Sequence, residues 1–378
     1  MATDGQKLAP RGLQGVVAAS TALSLVEDAN LQYRGYAIED LAANAQYEEV
    51  AYLLLNGELP DEDQLATFRR DVAESRPLSP LLLGLVEQMA GGTAMDVLRT
   101  VVSASAVEDP DEGDNSPKCE YRKSIRLVAR MPTILAGYIR RRRGEQPVAP
   151  DAALGHADDF ARMAGLERSH PRAGEILNAC FILQAEHGLN ASTFAARITA
   201  ATLADMHAAV TAALGALKGP LHGGATDGTM EMLDEIGSVD RVPGFVERGF
   251  AEKYKFPGFG HRVYVTQDPR APVLREFARQ LSDGEAAREM PAYFDIQERL
   301  VEEVNERRQL PVNVDYYAAT TYTYLDIPAD LGTSIFAIGR MAGWCAHIME
   351  QHADNRLIRP ESEYTGPTGR RWIPLAER

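Results

Sequence analysis

Cysteine is scarce in this chain of 378 residues: Cys119, Cys180 and Cys345 are all there are, far apart and without a CxxC pair. That excludes a disulfide framework and a cysteine-based zinc site. Lysine is scarce too. Six of the 39 basic residues are lysine and 33 are arginine, against 54 acids, for a formal net charge of −15. A negative field of this size repels nucleic acid at long range and argues against such a partner. No apolar stretch nears the roughly 18 to 20 residues of a membrane-spanning helix. The start carries Lys7 and Arg11 but no apolar segment, so no secretory signal is expected. A P-loop and a G-x-G-x-x-G turn are missing, as is the G-x-S-x-G elbow of serine hydrolases. Strands do not alternate with helices, which excludes a doubly wound fold. A soluble, cytoplasmic protein is the expectation.

What is present is a helical pattern, and an all-α fold is predicted. Asp61 is placed to cap a helix with Leu65, Phe68 and Val72 on its apolar face. Tyr47 to Asn56 stops at Gly57, with Pro60 close behind. Ser79-Pro80 opens another helix with a cap and a first-turn proline. Met131-Pro132 reads as a further start, running to Arg140-Arg141-Arg142-Arg143, where cations oppose the negative end of the dipole. The Ala-rich stretch Ser192 to Leu217 reads as one buried helix, and Ser334 to His352 as a core helix. Extended chain is expected only near Leu13 to Val26. Between His222 and Asp315 charged amphipathic helices such as Pro291 to Arg308 take over. Length favours two domains or one with an insertion. The shift marks residues 222–316 as a smaller domain set between 1–221 and 317–378. The patch Glu108, Asp109, Asp111, Glu112 and Asp114 reads as a solvated loop. An acidic, lysine-poor surface also raises adaptation to high salt, which unchanged stability and activity from low to molar salt would remove.

Four places break the helical pattern with polar groups among glycines or apolar residues. They are Ala185-Glu186-His187-Gly188-Leu189-Asn190, Lys218-Gly219-Pro220-Leu221-His222-Gly223-Gly224, Pro257-Gly258-Phe259-Gly260-His261-Arg262-Val263-Tyr264 with Asp268-Pro269-Arg270 behind it, and Pro311-Val312-Asn313-Val314-Asp315. Glycine beside histidine lets a backbone approach a ligand closely. Each taken alone also suits a structural or capping histidine. A metal site is the competing use of His and Asp. No pair has the HExxH spacing and no cysteine joins them, so no metal is expected. Arg340 lies inside an apolar helix beside Gly339 and Gly343. A buried guanidinium needs either an internal carboxylate or an anionic ligand, and both readings stand at this point.

Together these motifs resemble the citrate synthase family in its short form. The likeness runs from Gly12-Leu13-Gln14-Gly15-Val16 through Tyr33-Arg34-Gly35-Tyr36 to Asn355-Arg356-Leu357-Ile358-Arg359-Pro360. The resemblance implies an all-helical homodimer, with a large domain and a smaller one that closes over oxaloacetate and acetyl-CoA. It implies that His187, Arg270 and Arg340 hold oxaloacetate, with Arg359 contributed by the partner subunit. It assigns His261 to the ketone oxygen, Asp315 to removal of a methyl proton and His222 to the thioester oxygen. No cofactor is implied.

The sequence departs from the family in two places. Val265 stands where a basic residue commonly follows the HRVY run, leaving Arg262, Lys253 or Lys255 to meet the CoA phosphates. Thr93-Ala94 replaces a common His-Pro. The shared core starts almost at once, so the extra N-terminal segment of the long forms and its NADH inhibition are not expected. Propionyl-CoA in place of acetyl-CoA would make a 2-methylcitrate synthase with the same residues, because one methylene discriminates weakly. A catalytically silent binding protein and a metal-dependent hydrolase are the readings from other classes.

Overall fold

The computed structural model describes residues 8–168, 170–284 and 286–378. The reading of a missing leader rests partly on residues 1–7, which lie outside the described residues. Among the described residues strand forms one small antiparallel sheet, β1 (Ser24–Glu27), β2 (Asn30–Tyr33) and β3 (Tyr36–Ala37), in that order. Glu27 pairs with Asn30, so Asp28-Ala29 makes the hairpin tip, with Ala29 at φ +55°. The extended pair expected at Leu13 to Val26 is found near the N-terminus, but its first strand starts only at Ser24 and its partner lies beyond Val26. Gly12, Leu13 and Gly15 all have positive φ, which turns the chain where the expected pair was to begin.

The remaining regular structure among the described residues is helical. The helix Gly332–Ala353 runs through the middle of the larger group. It packs against Tyr47–Asn56, Pro117–Arg142, Ala173–Gln184, Ala191–Ala200 and Met206–Leu217. Two of its glycines allow a close approach. A Cβ at Gly343 would lie 2.2 Å from the Ala185 carbonyl, and one at Gly339 2.7 Å from that of Phe181. The segment carrying Glu186 and His187 is thus pressed onto the helix carrying Arg340. A second group is formed by Ala225–Ile236 and Ala271–Ser282, both packed on Val314–Tyr324, and by Val242–Glu252 packed on Tyr293–Arg307.

Several expected helix ends are found where the capping residues put them. Asp61 accepts from the Gln64 amide and Ser79 from that of Leu82, while Gly57 closes its helix at φ +97°. Thr93 caps Ala94–Ser105 by accepting from the Asp96 amide. Two helices differ from expectation. Met131-Pro132 is no start: Pro132 lies inside Pro117–Arg142, which opens at Ser116-Pro117. The lost amide bond at Pro132 is offset by burial of Val128, Ala129, Met131, Thr133 and Ile134 around it. Ser192 to Leu217 is two helices. Asp205 caps the second by accepting from the Ala208 amide, and Leu203 at φ +64° turns the chain between them.

The arginine run and the acidic patch also differ. Arg140 is buried and donates to the Met163 carbonyl at 2.7 Å, while Arg141 and Arg142 pair with Glu87 and Asp330. The run bridges helices as well as facing the helix end. Asp109 is 7% exposed, and Arg126 grips it in a two-point ion pair at 2.6 and 2.8 Å. Arg126 and Arg122 both hold Asp111, and their hydrogen bonds push its carboxyl well below the usual range. Asp109 and Asp111 are therefore anchored by arginines on the long helix, while Glu108, Glu112 and Asp114 stay exposed, as a solvated loop would leave them.

Candidate active site

The four polar interruptions meet in one cleft of about 790 Å³. His187, His222, His261, Arg270, Asp315 and Arg340 all line it. The cleft lies between the two helix groups, so no single local segment could have formed it.

His261 has its Nδ1 committed. The Val263 and Tyr264 amides donate to it at 3.0 and 3.1 Å, in a tight turn after Gly260 at φ +81°. A nitrogen accepting two N–H groups carries no proton, so the proton sits on Nε2. Burial, with the Arg270 charge, pushes this ring's pKa down to about 4, leaving it a neutral donor. His222 is the mirror case. The Ser192 amide donates to its Nε2 at 3.3 Å, and Ser192 Oγ lies 2.8 Å from the same nitrogen. The proton therefore sits on Nδ1, and burial again brings the pKa to about 4. Asn190 stands beside Ser192: its Oδ1 lies 2.8 Å from the Ser192 Oγ and accepts the Thr193 amide. His187 lies 3.0 Å from the Tyr264 hydroxyl and is pushed well below its usual pKa, by burial first and then by Arg270.

Asp315 stands at the start of Val314–Tyr324, where Asn313 caps by accepting its amide at 3.0 Å. One carboxylate oxygen, Oδ1, accepts the Thr226 hydroxyl at 2.8 Å. Burial raises the pKa of Asp315, against the lowering effect of that bond and of Arg270. The result is a carboxylate more basic than an exposed one. It lies in the same cleft as two neutral imidazole donors.

The two arginines differ in company. Arg270 makes a two-point ion pair with buried Asp268, at 2.9 and 2.8 Å through Nε and Nη2, which leaves Nη1 free of that pair. Arg340 is 1% exposed. Its Nε donates to the Gln184 carbonyl at 2.7 Å, and its guanidinium lies over the Phe336 ring. Among the described residues no carboxylate is within 4.0 Å of it. The internal salt bridge, one of the two readings for this residue, is thus absent from the described ion pairs. Burial brings its pKa down to about 10, Glu186 being the main opposing charge.

Of the other named residues only Arg262 lines the cleft. Arg359 is exposed in the segment after Gly332–Ala353 and does not line the cleft of its own chain. Arg262 lies at the mouth and donates to the Gly12 carbonyl at 3.2 Å. Lys253, at φ +58°, ends the helix Val242–Glu252, and neither it nor Lys255 lines the cleft. Val265 is exposed, and its amide is held by Asp28 at the hairpin tip. Four supporting residues had no role from the sequence: Ser192, Thr226, Tyr264 and Asp268. Ser192, Tyr264 and Asp268 lie inside or beside the glycine-histidine runs, which is the one signal that marked them. Among the described residues no three His, Cys, Asp or Glu side chains are grouped to hold a metal ion.

The family described as "Citrate synthase, C-terminal domain" matches residues 12–361. The chain is 41% identical over 374 residues to citrate synthase 2 of Bacillus subtilis, covering 98% of this chain and 99% of that one. It is 40% identical over 359 residues to a 2-methylcitrate synthase of Mycobacterium tuberculosis, covering 94% and 90%. Its structure is similar to the citrate synthase of Thermoplasma acidophilum solved as a ternary complex with carboxymethyl coenzyme A and oxaloacetate. The TM-score is 0.91 at 30% identity, over 97% of this chain and 99% of that one. By sequence over nearly its full length, and by fold, the chain belongs to the citrate synthase family of acyltransferases.

Proposed function

We propose that the chain condenses acetyl-CoA with oxaloacetate and hydrolyses the citryl-CoA formed to citrate and CoA. The observation that carries this is the cleft itself: a half-buried carboxylate, two neutral imidazoles and an arginine with no carboxylate partner among the described residues. Oxaloacetate places its carboxylates on Arg340 and on the free face of Arg270, with His187 beside them. The His261 Nε2–H donates to the ketone oxygen and makes its carbon more electrophilic. Asp315 takes a methyl proton of acetyl-CoA, the C–H electron pair moves into the thioester, and the His222 Nδ1–H stabilises the oxygen that gains charge. A neutral imidazole suits both tasks, because its weak acidity matches an enolate or alkoxide better than an imidazolium would. The carbanion equivalent attacks the ketone, the new alkoxide is protonated, and water then cleaves the thioester. The chemistry needs no cofactor.

The same reading assigns Arg359 to the site of a partner subunit in a homodimer. It gives Arg262, Lys253 and Lys255 the CoA phosphates, and it makes residues 222–316 the part that closes against 1–221 and 317–378. A cytoplasmic location fits three cysteines that are all buried and unpaired. The 2-methylcitrate reading is supported by the mycobacterial relative and by the apolar Phe194, Leu217 and Phe336 in the cleft wall.

Release of free CoA thiol with oxaloacetate present tests the reading, comparing acetyl-CoA and propionyl-CoA by kcat/KM. An acetyl preference is expected. A propionyl preference moves the chain to the methylcitrate reaction, and no thiol from either sinks the assignment. For Arg359, mixing Arg359→Ala with a second inactive variant should restore part of the activity. Mixtures that stay silent remove the shared site.

A further inference from the structure

Among the described residues one hydrogen bond reaches the Asp315 carboxylate, and it comes from Thr226, whose Oγ1 donates to Oδ1 at 2.8 Å. Thr226 is 3% exposed and stands second in the helix Ala225–Ile236, four residues after His222. The rest of its side chain is fixed too. A Cβ at Gly332, the first residue of the helix bearing Arg340, would lie 2.6 Å from Thr226 Cγ2. The methyl is therefore wedged against one element of the site while the hydroxyl holds another.

We propose that Thr226 is a positioning residue for proton abstraction: its hydroxyl engages Oδ1 of Asp315, so that Oδ2 receives the methyl proton, and it sets the carboxylate's place relative to His222. The proposal rests on Asp315 being the base. In the step the methyl C–H bond breaks, its electron pair passes into the enolate, the proton goes to Oδ2, and Thr226 keeps its own proton throughout. Two further effects follow from chemistry. A donor on the charged form opposes burial, so the carboxylate stays ionised while remaining more basic than in water. Holding one oxygen also removes the rotation that would present either oxygen to the substrate, an entropy saved before the reaction starts.

The test compares Thr226→Val, which keeps the shape and deletes the donor, with Thr226→Ser, which keeps the donor and deletes the methyl. Asp315→Asn is measured beside them. T226V should lose roughly 10- to 100-fold in kcat, as removal of a hydrogen bond to a charged group does. Its KM for oxaloacetate should stay within about twofold, and the acid limb of kcat/KM for acetyl-CoA should move to higher pH as the lowering bond is lost. T226S should stay within about threefold with the wild-type limb, since one retained bond carries the effect. Equal loss in T226V and T226S would make the contact one of packing and overturn the proposal, as would a T226V of wild-type rate. If T226V does not fold, T226A is read by the same criteria. Activity in D315N would sink the base assignment instead. A silent D315N beside a normal T226V would sink only the role of Thr226.

Discussion

Arg270 and Arg340 face one cleft, yet the protein treats their charges in opposite ways. Asp268 meets Arg270 at two points, and its charge holds the guanidinium above its usual basicity although burial works against it. Arg340 receives a backbone carbonyl and an aromatic face, and burial lowers its basicity. The first is an ion pair closed within the chain, with Nη1 left outside it. The second is a buried cation with its compensation incomplete, which costs folding energy until an anion arrives. Preorganisation of a site thus need not mean that every group in it is satisfied. In the proposed reading one arginine sets the geometry, and the other supplies the demand that a dicarboxylate would fulfil.

The sharpest way to probe this pair is to remove the carboxylate beside both. Asp315→Asn should lower kcat by about 10²- to 10⁴-fold, the usual reach of a general base. Oxaloacetate binding, followed by calorimetry, should be retained. A variant that turned over normally would mean the arginines orient some other base. Next in size is the contrast between the arginines themselves. Arg270→Leu strands buried Asp268 and should cost about 3 to 5 kcal/mol in urea unfolding. Arg340→Leu should leave stability unchanged or higher, while losing the protection of about 2.7 kcal/mol that oxaloacetate gives wild type at a hundred times its Kd. Equal destabilisation by the two substitutions would end the comparison.

A buried base other than arginine has a third option, which is to give up its proton. His156 is 1% exposed, neither ring nitrogen has a hydrogen-bond partner among the described residues, and burial followed by the Arg76 charge brings its pKa down to about 3. Once unfolded, the same ring takes a proton near its ordinary value of about 6.5. Between those two values the unfolded chain binds more protons, so stability must fall as pH drops from about 6.5 towards 3. His156→Phe should make the decline of Tm from neutral to mildly acidic pH shallower. Parallel curves for variant and wild type would remove His156 from that decline. The smallest effect belongs to solvated arginines. Arg275 pairs with Glu298 at the surface, and Arg275→Ala should shift Tm hardly at all. A loss approaching that of Arg270→Leu would show that burial does not rank these ion pairs.

Much of the cleft was legible because the residues that line it sit in glycine-rich runs that interrupt a helical pattern. Their order, each within its motif, and the family resemblance those motifs carry singled out His187, His222, His261 and Asp315. The supports were harder to see. Thr226 looks like any helical threonine, and its partner is 89 positions away. Ser192 serves His222 from the far side of a helix boundary. The misread helices have the same origin. Ser116-Pro117 and Met131-Pro132 both resemble starts, and tertiary burial decides between them. The acids at Asp109 and Asp111 look solvated until the long helix brings Arg122 and Arg126 across. Signals carried by neighbours in sequence were readable, while those carried by a distant partner had no local trace.

The same distance has a consequence for how the chain is made. The Ala22 amide reaches the Glu350 side chain across 328 positions, and the Tyr47 hydroxyl donates to the Gly339 carbonyl across 292. A chain synthesised from its first residue therefore completes most of its helices before the one that covers them exists. Until Gly332–Ala353 emerges, the apolar faces meant for it stay open to other nascent chains and to chaperones. Refolding from denaturant should be slow for a helical protein, because ordering must wait for closure of nearly the longest loop the chain can form.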